Sequence, residues 1–476
     1  MGSPLSIAFI VVLLIPLWVL LGRDYIKGVA YAVFLCVSMS TYLRIPMPGS
    51  LPQLTIFRLV LIILFIFWRR HRNSDLRFSS APLYAAFCLW ALADLASLLF
   101  TSGDFVVGLK RYLDFVVEAA VFFFLLITSF RSREDVMRVI SGACLGVTLV
   151  AAIAFVEKYT GHTPVSYIEP ANPESLDLGQ AQVRHYGDVV STYQHRILLG
   201  TGMAMGFPLA FALMLHRQKQ FRKPAWLWLA LLLMIAACYF SNSRGPWLAA
   251  VLSGGVLLTL GTTVIRKKLA AILGISIIVL AARPGILVSW THDFEATEDA
   301  QSLKGGTFRY RLELWKVAWA EISTSPERLL FGCGPGCGFG STVDWKLSYR
   351  GGQEWQIWSW DNHLAYDLYQ SGVMGLAASL GLYGSVLLAA CRLWKSSRAG
   401  DRNIFCCLLA SLIAYTFMLT NILMFTKPVN FLFWTVAAAS CGLGLSFREE
   451  HEAALDQDAQ PGTVLQEPEL LRAPLT

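Results

Sequence analysis

The sequence predicts an all-α polytopic membrane protein, and three observations carry that prediction. Of its 476 residues 55% are hydrophobic and only 15% charged, with a mean hydropathy of +0.53. A soluble chain of this size needs far more charge to cover its surface. Apolar windows of about 18 residues or more recur along the chain, each long enough to cross a hydrocarbon layer of ~30 Å. The Lys and Arg residues behind the net charge of +7 gather in short clusters between those windows. That is the positive-inside pattern of a protein embedded in membrane lipid; the basic stripe of a nucleic-acid binder is not present in the sequence. The 15 Trp, 16 Tyr and 29 Phe suit interfacial belts and helix packing.

About thirteen spans follow in order: Leu5–Leu21, Gly28–Leu43, Leu54–Trp68, Pro82–Phe100, Tyr112–Phe130, Val136–Val156, Ile197–Leu215, Ala225–Phe240, Trp247–Ile265, Leu269–Val288, His363–Cys391, Ile404–Leu423 and Val429–Leu445. The first has neither a basic n-region nor an A-x-A-like site, so it reads as a span and not a cleaved signal. His363–Cys391 is long enough to include a tilted or kinked portion. The basic loops (Arg69–Arg72, Arg131–Arg133, His216–Lys223, Arg266–Lys268 and Arg392–Arg402) all fall on one side, which the Lys/Arg bias makes cytoplasmic. The alternate segments Glu157–Arg196, Ser241–Pro246, Trp290–Asn362 and Thr420–Pro428 then face outward. The N-terminus lies outside and the tail inside. This divides the chain into N-terminal helices (1–289), an outer loop (290–362), C-terminal helices (363–446) and an acidic, Pro- and Gln-bearing tail (447–476) expected to be disordered and cytoplasmic.

The outer loop is the polar interruption in this pattern. At about 70 residues it far exceeds an ordinary helix connection, and loops of that length are usually functional. Phe308, Leu312, Trp315, Trp319 and Ile322 recur in it at helical spacing, predicting an amphipathic helix on the outer surface. The run Gly332–Gly338 (G-C-G-P-G-C-G) lacks the ending and the preceding strand of a phosphate loop. It reads as a turn closing that helix, with Pro326 as a helix stop. Eight of the 10 Cys sit in or beside apolar spans as small hydrophobes. Cys333 and Cys337 are the exceptions, and the intervening Gly-Pro-Gly raises the possibility of a bridge between them. Charges within spans are one-sided: Arg58, Asp94, Arg111, Asp114, Glu118, Glu157 and Arg283 all lie in outer halves, as for an enzyme with an outward-facing chamber. A transporter would set such groups at and across the midplane.

Four outward segments hold the candidate chemistry: Val183–Arg196 with Arg184 and Arg196; Ser241–Pro246 with Arg244; Phe308–Arg311 with Arg309 and Arg311; and Asp361-Asn362-His363. Guanidinium groups grip phosphate bidentately and keep their charge when partly desolvated. Converging arginines suit a lipid diphosphate at the outer interface and stabilise the charge it gains on leaving. A histidine beside them suits proton removal from an attacking sugar hydroxyl. No H-E-x-x-H, cytoplasmic D-x-D pair or zinc-spaced Cys/His cluster occurs, so neither metal nor cofactor is expected.

At these residues the chain resembles the O-antigen ligase and polymerase family of bacterial membrane enzymes. The resemblance rests on Ser243-Arg244-Gly245-Pro246-Trp247, on Arg311-Leu312-Glu313-Leu314-Trp315 followed by Pro326 to Gly334, and on Asp361-Asn362 followed by Gly372-Val373-Met374-Gly375-Leu376. It implies transfer of a glycan from an undecaprenyl-diphosphate carrier at the periplasmic face of the inner membrane, without metal, on a helical fold related to the GT-C glycosyltransferases. The acceptor would be a lipid A-core or a growing polysaccharide. Arg184, Arg244 and Arg311 would grip the diphosphate, and His363 or Asp361 would orient or deprotonate the acceptor. Arg196, Arg309 and Asn362 are further substrate-binding candidates. Two positions depart from the family pattern: Asp361 stands where ligases often carry a His, and His195-Arg196 where a His or Asn precedes a Pro. Ligase against polymerase therefore stays open. The rival reading is a transporter or flippase of lipid-linked glycans.

Overall fold

The structure is a computed structural model. It describes residues 4–45, 54–71, 81–168, 189–219, 225–282, 303–335, 346–349, 353–356, 360–397, 399–424 and 427–458, together with Thr291, Glu295 and Cys337. The helices are α1 (Pro4–Arg23), α2 (Tyr25–Ser38), α3 (Ile56–His71), α4 (Tyr84–Leu99), α5 (Phe105–Val116), α6 (Phe122–Ile127), α7 (Arg133–Thr160), α8 (Arg196–Lys219), α9 (Ala225–Phe240), α10 (Arg244–Leu260), α11 (Thr263–Ala282), α12 (Leu303–Ile322), α13 (Pro326–Phe331), α14 (His363–Ser396), α15 (Ala399–Met418) and α16 (Lys427–Asp458). Two short antiparallel pairs accompany them, Arg44–Ile45 with Leu54–Thr55 and Lys346–Tyr349 with Gln353–Gln356. The protein is thus an all-α polytopic membrane protein. Among the described residues six helices are long and apolar enough to cross a membrane, and shorter apolar helices such as Ala225–Phe240 accompany them.

Among the described residues each predicted span overlaps a helix, with residues 283–288 of Leu269–Val288, Arg283 among them, lying outside the described residues. Two expectations need correction. Tyr112–Phe130 is not one α-helix: a π turn at Val117–Val121 separates α5 from α6. Arg111 and Asp114 lie before that turn and Glu118 within it. Arg111 reaches the hydroxyl of Tyr366, Asp114 pairs with Arg58, and Glu118 is buried. The tail is not irregular from residue 447, because α16 runs on to Asp458. The Ala, Glu and Leu of that stretch are good helix formers and carry the helix past its apolar part. Residues 459–476 lie outside the described residues.

The bundle has two distinct ends. At one, the basic loops are tied to one another: Arg131 donates to the His71 carbonyl at 2.8 Å, Arg133 pairs with Asp401, and His216 lies 3.4 Å from Glu134. The Thr262 amide there donates to Asn403 at 3.1 Å. At the other end lie the segments read as outward. Thr41 meets Gln194 at 3.2 Å, and Glu157 accepts from the Ser191 amide at 2.7 Å. α8, buried along its apolar stretch, runs between them, packed against α7, α9, α10 and α15.

α14 belongs to two hydrophobic clusters. Its later part (Ala378, Leu382, Tyr383, Val386) joins the main helical core, while Ala365, Tyr366, Leu368 and Tyr369 join a smaller one. In that smaller cluster Leu314, Val317, Ala318 and Ile322 of α12 pack beside Cys333, Cys337 and Trp360. The opposite edge of α12 leaves Phe308, Leu312 and Trp319 about half exposed, in keeping with a helix lying along an apolar surface. The division falls at Gly372, whose φ of 65° and ψ of −164° break the helix. The break frees carbonyls that the Gly-rich run captures. The Cys333 amide donates to Tyr369 at 3.0 Å, and the Gly334 amide to Gln370 at 2.8 Å. Ser97 on α4 adds a bond to Gln370 at 2.8 Å. The run is therefore a cap on the broken helix and not merely a turn. Pro326 sits in the first turn of α13, behind its cap Ser325, so it starts a helix beyond the end of α12. Cys333 and Cys337 are free thiols, with Cys337 Sγ 3.0 Å from the Ser102 hydroxyl.

Two outcomes follow. A Cβ at Gly372 would lie 2.4 Å from the Leu330 carbonyl, whereas one at Gly381 meets nothing within 4 Å. Gly372→Ala should therefore destabilise the protein by about 1–3 kcal/mol, read as a lower melting temperature in detergent, while Gly381→Ala stays neutral or better. With the basic end cytoplasmic, Ser243→Cys should react with a membrane-impermeant thiol reagent in intact cells and Lys219→Cys should not, in a background without competing thiols. The reverse pattern would overturn the orientation.

Candidate active site at the head of the broken helix

The site forms where α14 begins. Asn362 caps that helix, its Oδ1 accepting from the Ala365 amide at 3.1 Å, so a backbone donor left over at the helix start is satisfied by a side chain. The His363 amide donates to the Leu419 carbonyl at 2.8 Å, fastening this start to the end of α15. Arg311 comes in from α12. Its Nε donates to the carbonyls of Asn421 (2.9 Å) and Asp361 (3.2 Å), and its Nη2 stands 3.9 Å from the Asp361 carboxylate. One guanidinium thus joins three chain segments far apart in sequence.

The Ser-Arg-Gly turn arrives on the same spot. A Cβ at Gly245 would lie 3.4 Å from Oδ1 of Asn421, and Gly200 on α8 meets Ser241 and Pro246. Arg244 opens α10 and Arg196 opens α8, so both arginines stand at helix starts beside this junction. Two non-glycine residues next to them, Gln194 and Asn242, have φ of 58° and 47°. Such backbone persists only where surrounding contacts impose it, as they do for Gln194 through its bond to Thr41. Arg196 is close enough to bear on the Arg311 charge. Burial holds Arg311 below its ordinary value, Asp361 acts in the opposite sense, and Arg196 adds to the depression. A guanidinium stays charged through such a shift.

The candidates differ in access. The Asp361 side chain is 29% exposed and that of Arg311 17%, whereas His363 is 1%. His363 turns inward, with Nε2 3.8 Å from Asp367 Oδ2 and its ring 6.3 Å from that of Tyr383. Of the residues singled out in sequence, Arg196, Arg244, Arg311, Asp361 and His363 thus gather at one junction. Asn362 is there as the cap. Arg309, two positions from Arg311 and so nearly opposite it on the helix, is exposed. Arg184 lies outside the described residues. Sequence reading missed Asn421, which carries no motif, and Asp367, although its spacing of four from His363 marks a shared helix face. Among the described residues no group of three or more His, Cys, Asp or Glu is arranged to hold a metal.

The junction thus brings Arg311 and the Asp361 carboxylate together at its accessible side, with Arg196 near enough to bear on Arg311, while the His363 imidazole faces inward. Comparison with known families matches residues 229–389 to the family described as O-Antigen ligase. That stretch runs from α9 into α14 and takes in Arg244, Arg309, Arg311 and the Asp361–His363 triplet. No curated protein matches the chain. The match over this segment supports membership of the O-antigen ligase/polymerase family and a ligase or polymerase role in surface polysaccharide synthesis.

Proposed function

We propose that the protein transfers a glycan from an undecaprenyl-diphosphate carrier to a hydroxyl of a lipid A-core or a growing polysaccharide, at the periplasmic face of the bacterial inner membrane and without a metal ion. The observation that carries this is that Arg311 ties the head of α14 to the end of α15 at Asn421, against which the Ser-Arg-Gly turn also packs. Arg244 and Arg311 hold the diphosphate, with Arg196 and, from its neighbouring segment, Arg184 as further contacts. As the bond from the anomeric carbon to phosphate breaks, charge builds on the departing diphosphate, and fixed guanidinium groups stabilise that charge more than the ground state. Asp361, the more exposed acid, orients the acceptor hydroxyl and also steadies Arg311. His363, two residues on, takes the hydroxyl proton as the new glycosidic bond forms. Arg309 and Asn362 stand at the edge of this group, the latter acting through its cap.

The transporter reading is weaker on one specific observation. Broken membrane helices in transporters leave backbone groups to coordinate their cargo. The break in α14 is already filled, because Cys333, Gly334 and Ser97 occupy the freed carbonyls.

The arginine roles are tested with Lys, which keeps the charge and loses the bidentate fork. Arg311→Lys and Arg244→Lys should each lower glycan transfer sharply in purified protein given a polyprenyl-diphosphate glycan, with insertion intact. Arg69→Lys and Lys267→Ala, at the basic end, should stay near wild type. Full transfer in both arginine variants would end the diphosphate-clamp reading. His363→Ala should leave donor binding intact and cut turnover by about 10² to 10⁴, the usual cost of a lost general base. Full activity there would move the acceptor role to Asp361 alone.

A further inference from the structure

His363 stands on a helix whose next turn presents Asp367 on the same face, and the two side chains meet, Nε2 to Oδ2, at 3.8 Å. Both are withdrawn from solvent, with side chains 1% and 13% exposed. The surroundings are polar in an ordered way. Ser371, one turn further along, donates to Asp94 of α4 at 2.8 Å, and Asp94 lies within electrostatic reach of Asp367. The Tyr383 ring, beyond the break, stands edge-on to the imidazole with centroids 6.3 Å apart, and its neighbour Tyr415 bonds to Asn430. A buried carboxylate is costly unless something nearby uses its charge. An imidazole that gains a proton in the same enclosure is such a use.

We infer that Asp367 is a positioning residue for the transfer reaction, fixing the orientation of the His363 ring and holding the imidazolium that forms when it accepts the acceptor proton. This rests on the role proposed above for His363. The step balances without a further reagent. The acceptor oxygen bonds to the anomeric carbon, the carbon–oxygen bond to phosphate breaks, and its electron pair leaves with the diphosphate. The hydroxyl proton passes to His363, stays there opposite the Asp367 carboxylate, and is released to water after the product departs. Orientation of a catalytic imidazole by a carboxylate behind it is a general solution to this problem. Here the two groups come from successive turns of one helix, so their spacing is set by helix geometry and not by loop packing.

The test is a double-mutant cycle on the full-length protein with polyprenyl-diphosphate glycan as donor. Asp367→Asn should lower kcat by about 10²-fold, the lower range for loss of a positioned base, with KM for the donor unchanged. In a His363→Ala background the same change should have no further effect, because the group it serves is gone. Asp367→Glu should recover part of kcat and Asp367→Ser should not. If Asp367→Asn impairs insertion, Asp367→Ser carries the cycle in its place. An effect of Asp367→Asn that persists in the His363→Ala background, or none in wild type, overturns the pairing while leaving the histidine's role standing. A fully active His363→Ala variant overturns both.

Discussion

The arrangement depends on a set of backbone hydrogen bonds at a broken helix. Gly372 takes a left-handed conformation that leaves the carbonyls of Tyr369 and Gln370 outside the helical ladder. Within a bilayer such groups cost several kcal/mol each when unmet. They are met by amides of Cys333 and Gly334, and Ser102 in turn donates to Cys333 at 2.9 Å. Gly332 and Gly372 oppose one another so closely that a Cβ on either would fall 2.4 Å from a carbonyl of the other strand of chain. Two glycines at this contact are a steric requirement. The outer loop is thereby pinned to a membrane helix by bonds that the helix itself cannot do without.

That fastening sets the electrostatics of the site. Arg311 is held on α12, and α12 is held on the first half of α14, so the guanidinium is delivered to Asp361 with little freedom left. Arg196 and Arg244 come from the starts of α8 and α10. Burial holds Arg311 below its ordinary value, and the nearby Arg196 charge adds to that depression. Asp361 acts in the opposite sense. A site with surplus fixed positive charge gains most from a ligand carrying two or more negative charges, and gains further as that ligand's charge rises during reaction.

The helical architecture was legible because hydropathy windows need no tertiary information: among the described residues every predicted span overlaps a helix, and Ala225–Phe240 matches to the residue. The site was legible in part, because Arg244, Arg311 and Asp361 sit in compact local patterns that tertiary structure then draws together. What stayed hidden depends on contacts between distant segments. Asn421 contributes through its backbone carbonyl, which any residue supplies. The capture of Gln370 by Gly334 pairs positions with no shared motif. The π turn at Val117–Val121 leaves apolar residues apolar, so no periodicity test detects it locally. The helix continuing to Asp458 shows the converse error, in which acidic composition outweighed good helix propensity in the reading of the tail.

The site is also shared between the two hydrophobic clusters, and this constrains how it works. Asp361 and His363 lie at the head of α14's outer half, with Arg311 packed against them; Arg196 and Arg244 start helices of the main core. The spacing of the cations is thus the spacing of the clusters. Two links hold it: the capped break at Gly372, and the strap from Arg311 and His363 to the carbonyls of Asn421 and Leu419. The Nε of Arg311 is spent on carbonyls while its Nη2 end faces Asp361. An arginine can do both because its five donors are splayed in one plane. A lysine at this place, with one compact ammonium, could not span the carbonyls of Asn421 and Asp361 and keep a second edge facing the Asp361 carboxylate, so what the fold uses at position 311 is the shape of the group and not its charge alone.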